Sequence, residues 1–252
     1  MTNKQKQDFI YWLELKRLST STIAKYSNQA HNRIFKELKI SFYELKVLTD
    51  LQDLLIKVKR LEKQMPNDPK RMYSSAVSNY IKYKIHSETP DNHHQDLDYL
   101  IDVEETLART TSLPTHIVTP RDSTGLISGT TNQFSRNKRV GAHAIQLANY
   151  TCQIDSNHRL FISRKTKKNY VEAHHLIPIA YQAMFEHSID TIENIVSLCP
   201  SCHRMVHFGL DTSRIELLEQ LYNRFKNQLR LVGTPIKFKD LLELYGIDQT
   251  LY

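Results

Sequence analysis

Through the first 85 positions apolar side chains recur every three or four residues, and the breaks between runs are short. Phe9, Ile10, Trp12 and Leu13 mark a first helix that ends at Ser19-Thr20-Ser21. Ser and Thr side chains satisfy orphan backbone N–H groups, so the same cluster opens a second helix carrying Ile23, Tyr26, Ala30, Ile34 and Leu38. Leu45, Leu48, Leu51, Leu55 and Val58 predict a third helix over about 42–61. Met65-Pro66-Asn67-Asp68-Pro69 is a turn, and Ala76, Val77, Tyr80 and Ile81 place a fourth helix over 73–84. Trp12, Tyr26 and Tyr80 sit at helical spacing and are expected in the core.

The pattern then weakens. Residues 86–97 are polar, 97–110 suit a short acidic helix, and the stretch 114–139 is punctuated by Pro114, Pro120, Gly125 and Gly129 without clear periodicity. So long an irregular segment is expected to be a functional loop or an interdomain wrap. From Val140 the character changes, and helices return over 211–231, with Leu217, Leu218, Leu221, Phe225 and Leu229 on one face, and over 236–246. The expected organisation is a helical domain over 1–85, a connecting region over 86–139 and a second domain over 140–252.

Charge follows this division. The chain of 252 residues has a formal net charge of +7, yet residues 1–90 alone carry +8 and residues 114–170 carry +7, with −5 over 91–113 and −3 over 171–252. Two basic blocks around an acidic one point to a polyanion, because Lys and Arg gain affinity by releasing counterions from phosphates. No apolar run approaches the roughly 18 residues a membrane span needs, which excludes a membrane-embedded function. The opening MTNKQKQDFIYW lacks the apolar core of a secretory signal, and three cysteines make no disulfide framework, so a reducing cytoplasm is expected.

All three cysteines fall in the richest cluster of metal-capable side chains, between Cys152 and His207. Cys199-Pro-Ser-Cys202 is a CxxC pair able to bind zinc from a tight turn, and Cys152 supplies a third thiolate from elsewhere. A tetrahedral site needs a fourth ligand: His158 is the better zinc donor, with Asp155, placed where an upstream CxxC would end, as the alternative. His174 and His175 end a strand-like run, and adjacent strand side chains point to opposite sides, so one suits a metal and the other acid–base chemistry. His203 and His207, four apart, share a helical face that suits chelation of one ion. Glu172 is either a partner of that group or an ordinary strand residue.

The segments VEAHHLIP and ENIVSLCPSCHRMVH resemble the pattern of HNH endonucleases, nucleases of ββα-metal fold, over about residues 140–210. The cysteine set around them is most similar to McrA-like restriction endonucleases, some of which depend on base modification. The chain departs from many relatives at Cys152-Gln-Ile-Asp155, where they carry a second CxxC. The resemblance implies an α+β fold in which a helical N-terminal domain precedes a C-terminal HNH domain with a structural zinc site and flanking helices. It implies His175 as general base, His174, His203 and His207 as ligands of one catalytic divalent ion, and Asn194 as the residue that holds the metal-binding loop and helps to orient the base. The ion's identity stays open among Mg, Mn, Ni and Zn, since imidazole suits the borderline metals. Arg159, Arg164, Lys165, Lys167 and Lys168 flank a predicted hairpin and in a nuclease would grip phosphates. Helix starts and aromatic positions of the first 85 residues are similar to the core-binding domain of tyrosine recombinases, although no recombinase catalytic signature follows.

The expected function is a metal-dependent DNA endonuclease of restriction or phage-defence type acting on double-stranded DNA, with a homodimer as the arrangement that would cut both strands. A homing or nicking HNH endonuclease, or a catalytically inert zinc protein that binds DNA, are the alternatives. The intact set His174, His175, Asn194, His203 and His207 argues against inertness.

Overall fold

The structure is a computed structural model and describes residues 4–65, 71–88, 93–110, 118, 120 and 134–247. The fold is α+β, helices predominating, and the chain divides into two compact units. The first comprises residues 1–90 with 125–134 and 183–186; the second comprises 91–124, 135–182 and 187–252.

In the first unit, α1 (Lys4–Leu15), α2 (Thr20–Ala24), a π-helical stretch (Lys25–Ala30), α3 (His31–Leu38), α4 (Leu48–Gln64) and α5 (Met72–Glu88) enclose an aromatic core. Ser19 caps α2, its hydroxyl accepting from Thr22 N–H. The extra residue of the π stretch is held where Ser27 Oγ donates to the Ile23 carbonyl. Phe9, Phe42, Tyr43 and Tyr80 are all essentially buried, and the Phe9 and Tyr80 rings meet edge to face at 5.2 Å. Trp12 and Tyr80 are core residues as expected, whereas Tyr26 is half-buried.

The third helix starts later than the apolar spacing predicts. Lys39 closes α3 in a left-handed conformation, residues 41–47 form a turn, and α4 begins at Leu48. Phe42 and Tyr43 anchor this turn: both are buried, and the Tyr43 hydroxyl donates to the Ser27 carbonyl at 2.7 Å.

In the second unit, α6 (His93–Arg109) is the expected acidic helix, begun earlier, and it packs on α7 (Lys138–Leu147), which the periodicity did not reveal. Tyr99, Val103 and Leu107 of α6 share a core with Ala142, Ala144 and Ile145 of α7 and with Val171, Ala173 and Ile195. Gly141 lets the helices close, since a Cβ there would collide with the Tyr99 hydroxyl. The acidic helix is therefore part of the second unit's core. Apart from Val118 and Pro120, the irregular stretch over 111–133 lies outside the described residues.

The strands β1 (Glu172–His175) and β2 (Ile195–Leu198) pair antiparallel, Glu172 opposite Leu198 and His175 opposite Ile195. A 3₁₀ turn (Ile192–Asn194) leads into β2. Cys199 caps α8 (Pro200–Phe208), and α9 (Asp211–Leu231) and α10 (Phe238–Leu244) complete the unit. Among the described residues no helix is long and apolar enough to cross a membrane.

Candidate active site and metal centres

Cys152 lies in the turn after α7, His158 before the hairpin, and Cys199 and Cys202 at the N-terminus of α8. One donor atom from each of these four residues lies within 4.8 Å of every other. His158 Nδ1 is 3.6 Å from Cys199 Sγ and 3.3 Å from Cys202 Sγ. Tetrahedral zinc, with Zn–S about 2.3 Å and Zn–N about 2.05 Å, sets sulfur and nitrogen about 3.6 Å apart, so donor types and spacing fit zinc. Cys152 accepts from the Cys202 thiol and from backbone N–H groups, which draws its thiol down; the same contact, with burial, pushes Cys202 up. Thiols this close do not all ionise unless a cation shares them. Asp155 stands behind the group, 3.6 Å from His158 Nε2, while its Oδ1 accepts from Asn157 N–H.

A second group forms where β1 meets α8. Donor atoms of His174, His203 and His207 lie within 4.8 Å of one another, and the ring centroids stand 4.8, 5.0 and 5.1 Å apart. His203 Nδ1 donates to Glu172 Oε2 at 2.6 Å, which leaves the His203 Nε2 lone pair 3.3 Å from His207 Nε2. Two nitrogens on one tetrahedral ion at about 2.05 Å would be about 3.3 Å apart, so this pair also fits a shared metal. The orienting carboxylate is the outer partner that metal-bound imidazoles use. Burial, and then the neighbouring His203 and His207, hold His174 well below the ordinary imidazole value, so it is neutral at pH 7, as a ligand must be. Its Nε2 meets the Tyr245 hydroxyl at 2.8 Å.

Alternation along β1 turns His175 away from this group. Its Nε2 donates to Asp190 Oδ1 at 2.9 Å, both side chains being buried, and the ring lies 6.0 Å from that of Tyr99. Asp190 Oδ2 accepts from Asn137 N–H at the start of α7. A carboxylate only accepts, so His175 carries its proton on Nε2 and presents the Nδ1 lone pair.

Asn194 is fully buried and binds backbone on both sides of this site. Its Oδ1 accepts from Ile177 N–H at 2.7 Å, and its Nδ2 donates to the carbonyls of Ile177 and Ile189. It clasps the segment that follows His175 to the one that precedes Asp190, and the bond to the His175 ring itself comes from Asp190.

Arg159, Arg164, Lys165, Lys167 and Lys168 are all exposed on the loop and hairpin that enter β1. Ile162 bridges Asn169, and Ser163 closes the tip, its N–H donating to the Lys168 carbonyl while its hydroxyl accepts from Lys165 and Thr166 N–H. Lys165 pairs with Glu104 and Glu105 of α6, at 3.9 and 3.5 Å.

Sequence reading did not find Asp190 or Tyr245. Asp190 sits in the turn Ser188-Ile189-Asp190, which carries no periodic signal. Tyr245 lies 71 residues from His174 and ends a helix whose apolar face reads as core. The sequence leaves Glu172 between two readings, and its bond to His203 gives it a definite place.

Two comparisons bear on this geometry. The HNH endonuclease family matches residues 161–209, the stretch that holds the hairpin, both strands, Cys199 and Cys202 of the cysteine group, and all of α8. Over 53 residues the chain is 42% identical to the type IV methyl-directed restriction enzyme EcoKMcrA of Escherichia coli (strain K12), a match covering 21% of this chain and 17% of that enzyme. The chain thus spans well under two thirds of that relative's length. The order of the motif residues and these two matches make residues 161–209 similar to the HNH endonuclease family, with a likeness to an McrA enzyme.

Proposed function

We propose that the chain is a restriction-type DNA endonuclease that hydrolyses phosphodiester bonds with His175 as general base. The observation that carries this reading is the division of labour along β1: His174 joins the imidazoles of α8, while its neighbour His175 faces a buried carboxylate.

His174, His203 and His207 would hold a divalent ion of the Mg, Mn, Ni or Zn class. Bound there, it would supply positive charge to the phosphate and to the leaving 3′-oxygen. His175 Nδ1 takes a proton from water, the water oxygen bonds to phosphorus, and the bond to the 3′-oxygen breaks, that oxygen taking a proton from solvent to leave 5′-phosphate and 3′-hydroxyl ends. Asp190 keeps the ring's other nitrogen protonated and stabilises the imidazolium that forms. Asn194 holds the segment that follows the base His175 to the one that precedes the carboxylate Asp190. Arg159, Arg164, Lys165, Lys167 and Lys168 grip flanking phosphates. Cys152, His158, Cys199 and Cys202 hold structural zinc at the base of α8. The basic helical unit adds phosphate contacts, two chains cooperate to cut both strands, and the setting is cytoplasmic defence against foreign DNA.

The test is cleavage of paired methylated and unmethylated plasmids by the full chain across Mg, Mn, Ni and Zn. Metal-dependent cutting that His175→Ala removes supports the reading, and preference for the methylated plasmid extends it to modified DNA. No cutting with any metal, despite intact zinc content, would favour an inert zinc protein that binds DNA.

A further inference from the structure

The hairpin before β1 carries three consecutive apolar residues in the open: Leu160, Phe161 and Ile162 are 52%, 53% and 63% exposed. Such a run is unfavourable on a folded surface unless something covers it. The segment is well built. Ile162 bridges Asn169, Tyr170 N–H donates to the Phe161 carbonyl at 2.9 Å, and the Phe161 ring lies flat on Tyr170 at 4.8 Å and 16°. Tyr170 thus supports one face of the Phe161 ring.

The surrounding charge identifies what covers it. Arg159, Arg164, Lys167 and Lys168 are exposed around the triplet, and Lys165 adds a fifth cation partly matched by Glu104 and Glu105. An apolar patch ringed by cations suits a partner with apolar faces between rows of negative charge, which is what stacked bases between phosphates present. Asn169, opposite Ile162, stands five residues before His174, at most about 17 Å along an extended chain. That span equals about five base-pair steps at 3.4 Å each, so the triplet falls inside the footprint of the cleavage site.

We propose that Leu160, Phe161 and Ile162 form an apolar wedge that enters duplex DNA beside the scissile phosphate and stacks against bases, while the flanking cations hold the backbone. The proposal rests on the DNA-endonuclease reading above. Inserted apolar side chains unstack a base step and bend the duplex toward a wider protein contact. Stacking on an aromatic face is tolerant of sequence, so the wedge positions the duplex without choosing its bases.

The experiment uses the full chain, in a His175→Ala background that leaves DNA intact, with a 30-base-pair duplex and with heparin, a polyanion without bases. Phe161→Trp adds a reporter to a chain whose one other tryptophan is buried Trp12. The wedge predicts that duplex, and not heparin, quenches the new emission. It predicts that Phe161→Ala with Ile162→Ala weakens duplex binding about 10-fold, leaves heparin binding unchanged and keeps the slope of log affinity against log salt. Lys167→Ala and Lys168→Ala should each lower that slope by about 0.9. No quenching by duplex, or equal losses on duplex and heparin, overturns the wedge and leaves a grip on phosphates alone. If the lysine variants also change nothing, the hairpin is not on DNA and the reading beneath the proposal fails at this surface. A shift in self-association of the Phe161/Ile162 variant would then assign the patch to a second copy of the chain.

Discussion

The Tyr245 hydroxyl lies 2.8 Å from His174 Nε2 and itself donates to the Leu176 carbonyl at 2.9 Å. A hydroxyl has one proton, so the imidazole must bring its own on Nε2, which leaves Nδ1 as the nitrogen with a lone pair. Burial pushes the Tyr245 phenol above its ordinary value, so the proton stays in place. Tyr245→Phe should weaken binding at the imidazole group about 10- to 100-fold, as loss of an outer partner does. A cobalt titration of the full chain checks this; unchanged affinity, with His203→Ala abolishing binding, would deny Tyr245 that part.

His175→Ala should lower turnover about 10²- to 10⁴-fold with zinc content near wild type, while the buried Asp190 oxygen left unpaired costs about 1–3 kcal/mol of stability. Asp190→Asn keeps the shape and removes the charge, and should lower kcat with KM little changed. Single-turnover cleavage measures both. Full activity in either variant would reassign the base.

Cys199→Ser or Cys202→Ser should release zinc and unfold the second unit at lower temperature, because a structural zinc site contributes folding free energy directly. His158→Ala should halt zinc uptake. Asp155→Ala should only weaken it, since the carboxylate meets the far ring nitrogen. Zinc stoichiometry after chelator washing distinguishes the two, and equal loss in both would make Asp155 a ligand.

Asn194→Ala should destabilise the chain by about 3 kcal/mol or more, because each buried group left without a partner costs about 1–3 kcal/mol. The Ile177 N–H and the carbonyls of Ile177 and Ile189 all lose theirs. Denaturant unfolding reads the loss. A change under 1 kcal/mol would mean that water replaces the clasp.

The site was legible where chemistry clusters locally. Cys199 and Cys202, or His203 and His207, lie within one turn of one helix, so spacing alone brings them together. The division between His174 and His175 followed from strand alternation. Asp190 and Tyr245 were not legible, because each reaches its histidine through tertiary folding, and Asp and Tyr are ordinary residues at a turn and a helix end. In the fold, periodicity found the amphipathic helices but began the third too early, at Phe42 and Tyr43, whose apolar side chains are buried from a turn. It also missed α7, whose Gly141, Ala142 and Ala144 are small residues chosen for close approach rather than for a marked apolar stripe.

The helix α8 is nine residues long, begins at the cysteine pair and carries His203 and His207. A helix turns about 100° per residue, so a single insertion after Cys202 would swing both imidazoles to another side of the cylinder. Its length is therefore a fixed gauge between two chemistries, and tolerated insertions or deletions belong before Cys199 or beyond His207. The same gauge couples the two groups of side chains. Zinc at the thiol end, as proposed, would fix the direction of the imidazole end, so a chain starved of zinc should bind manganese less tightly at the imidazole group.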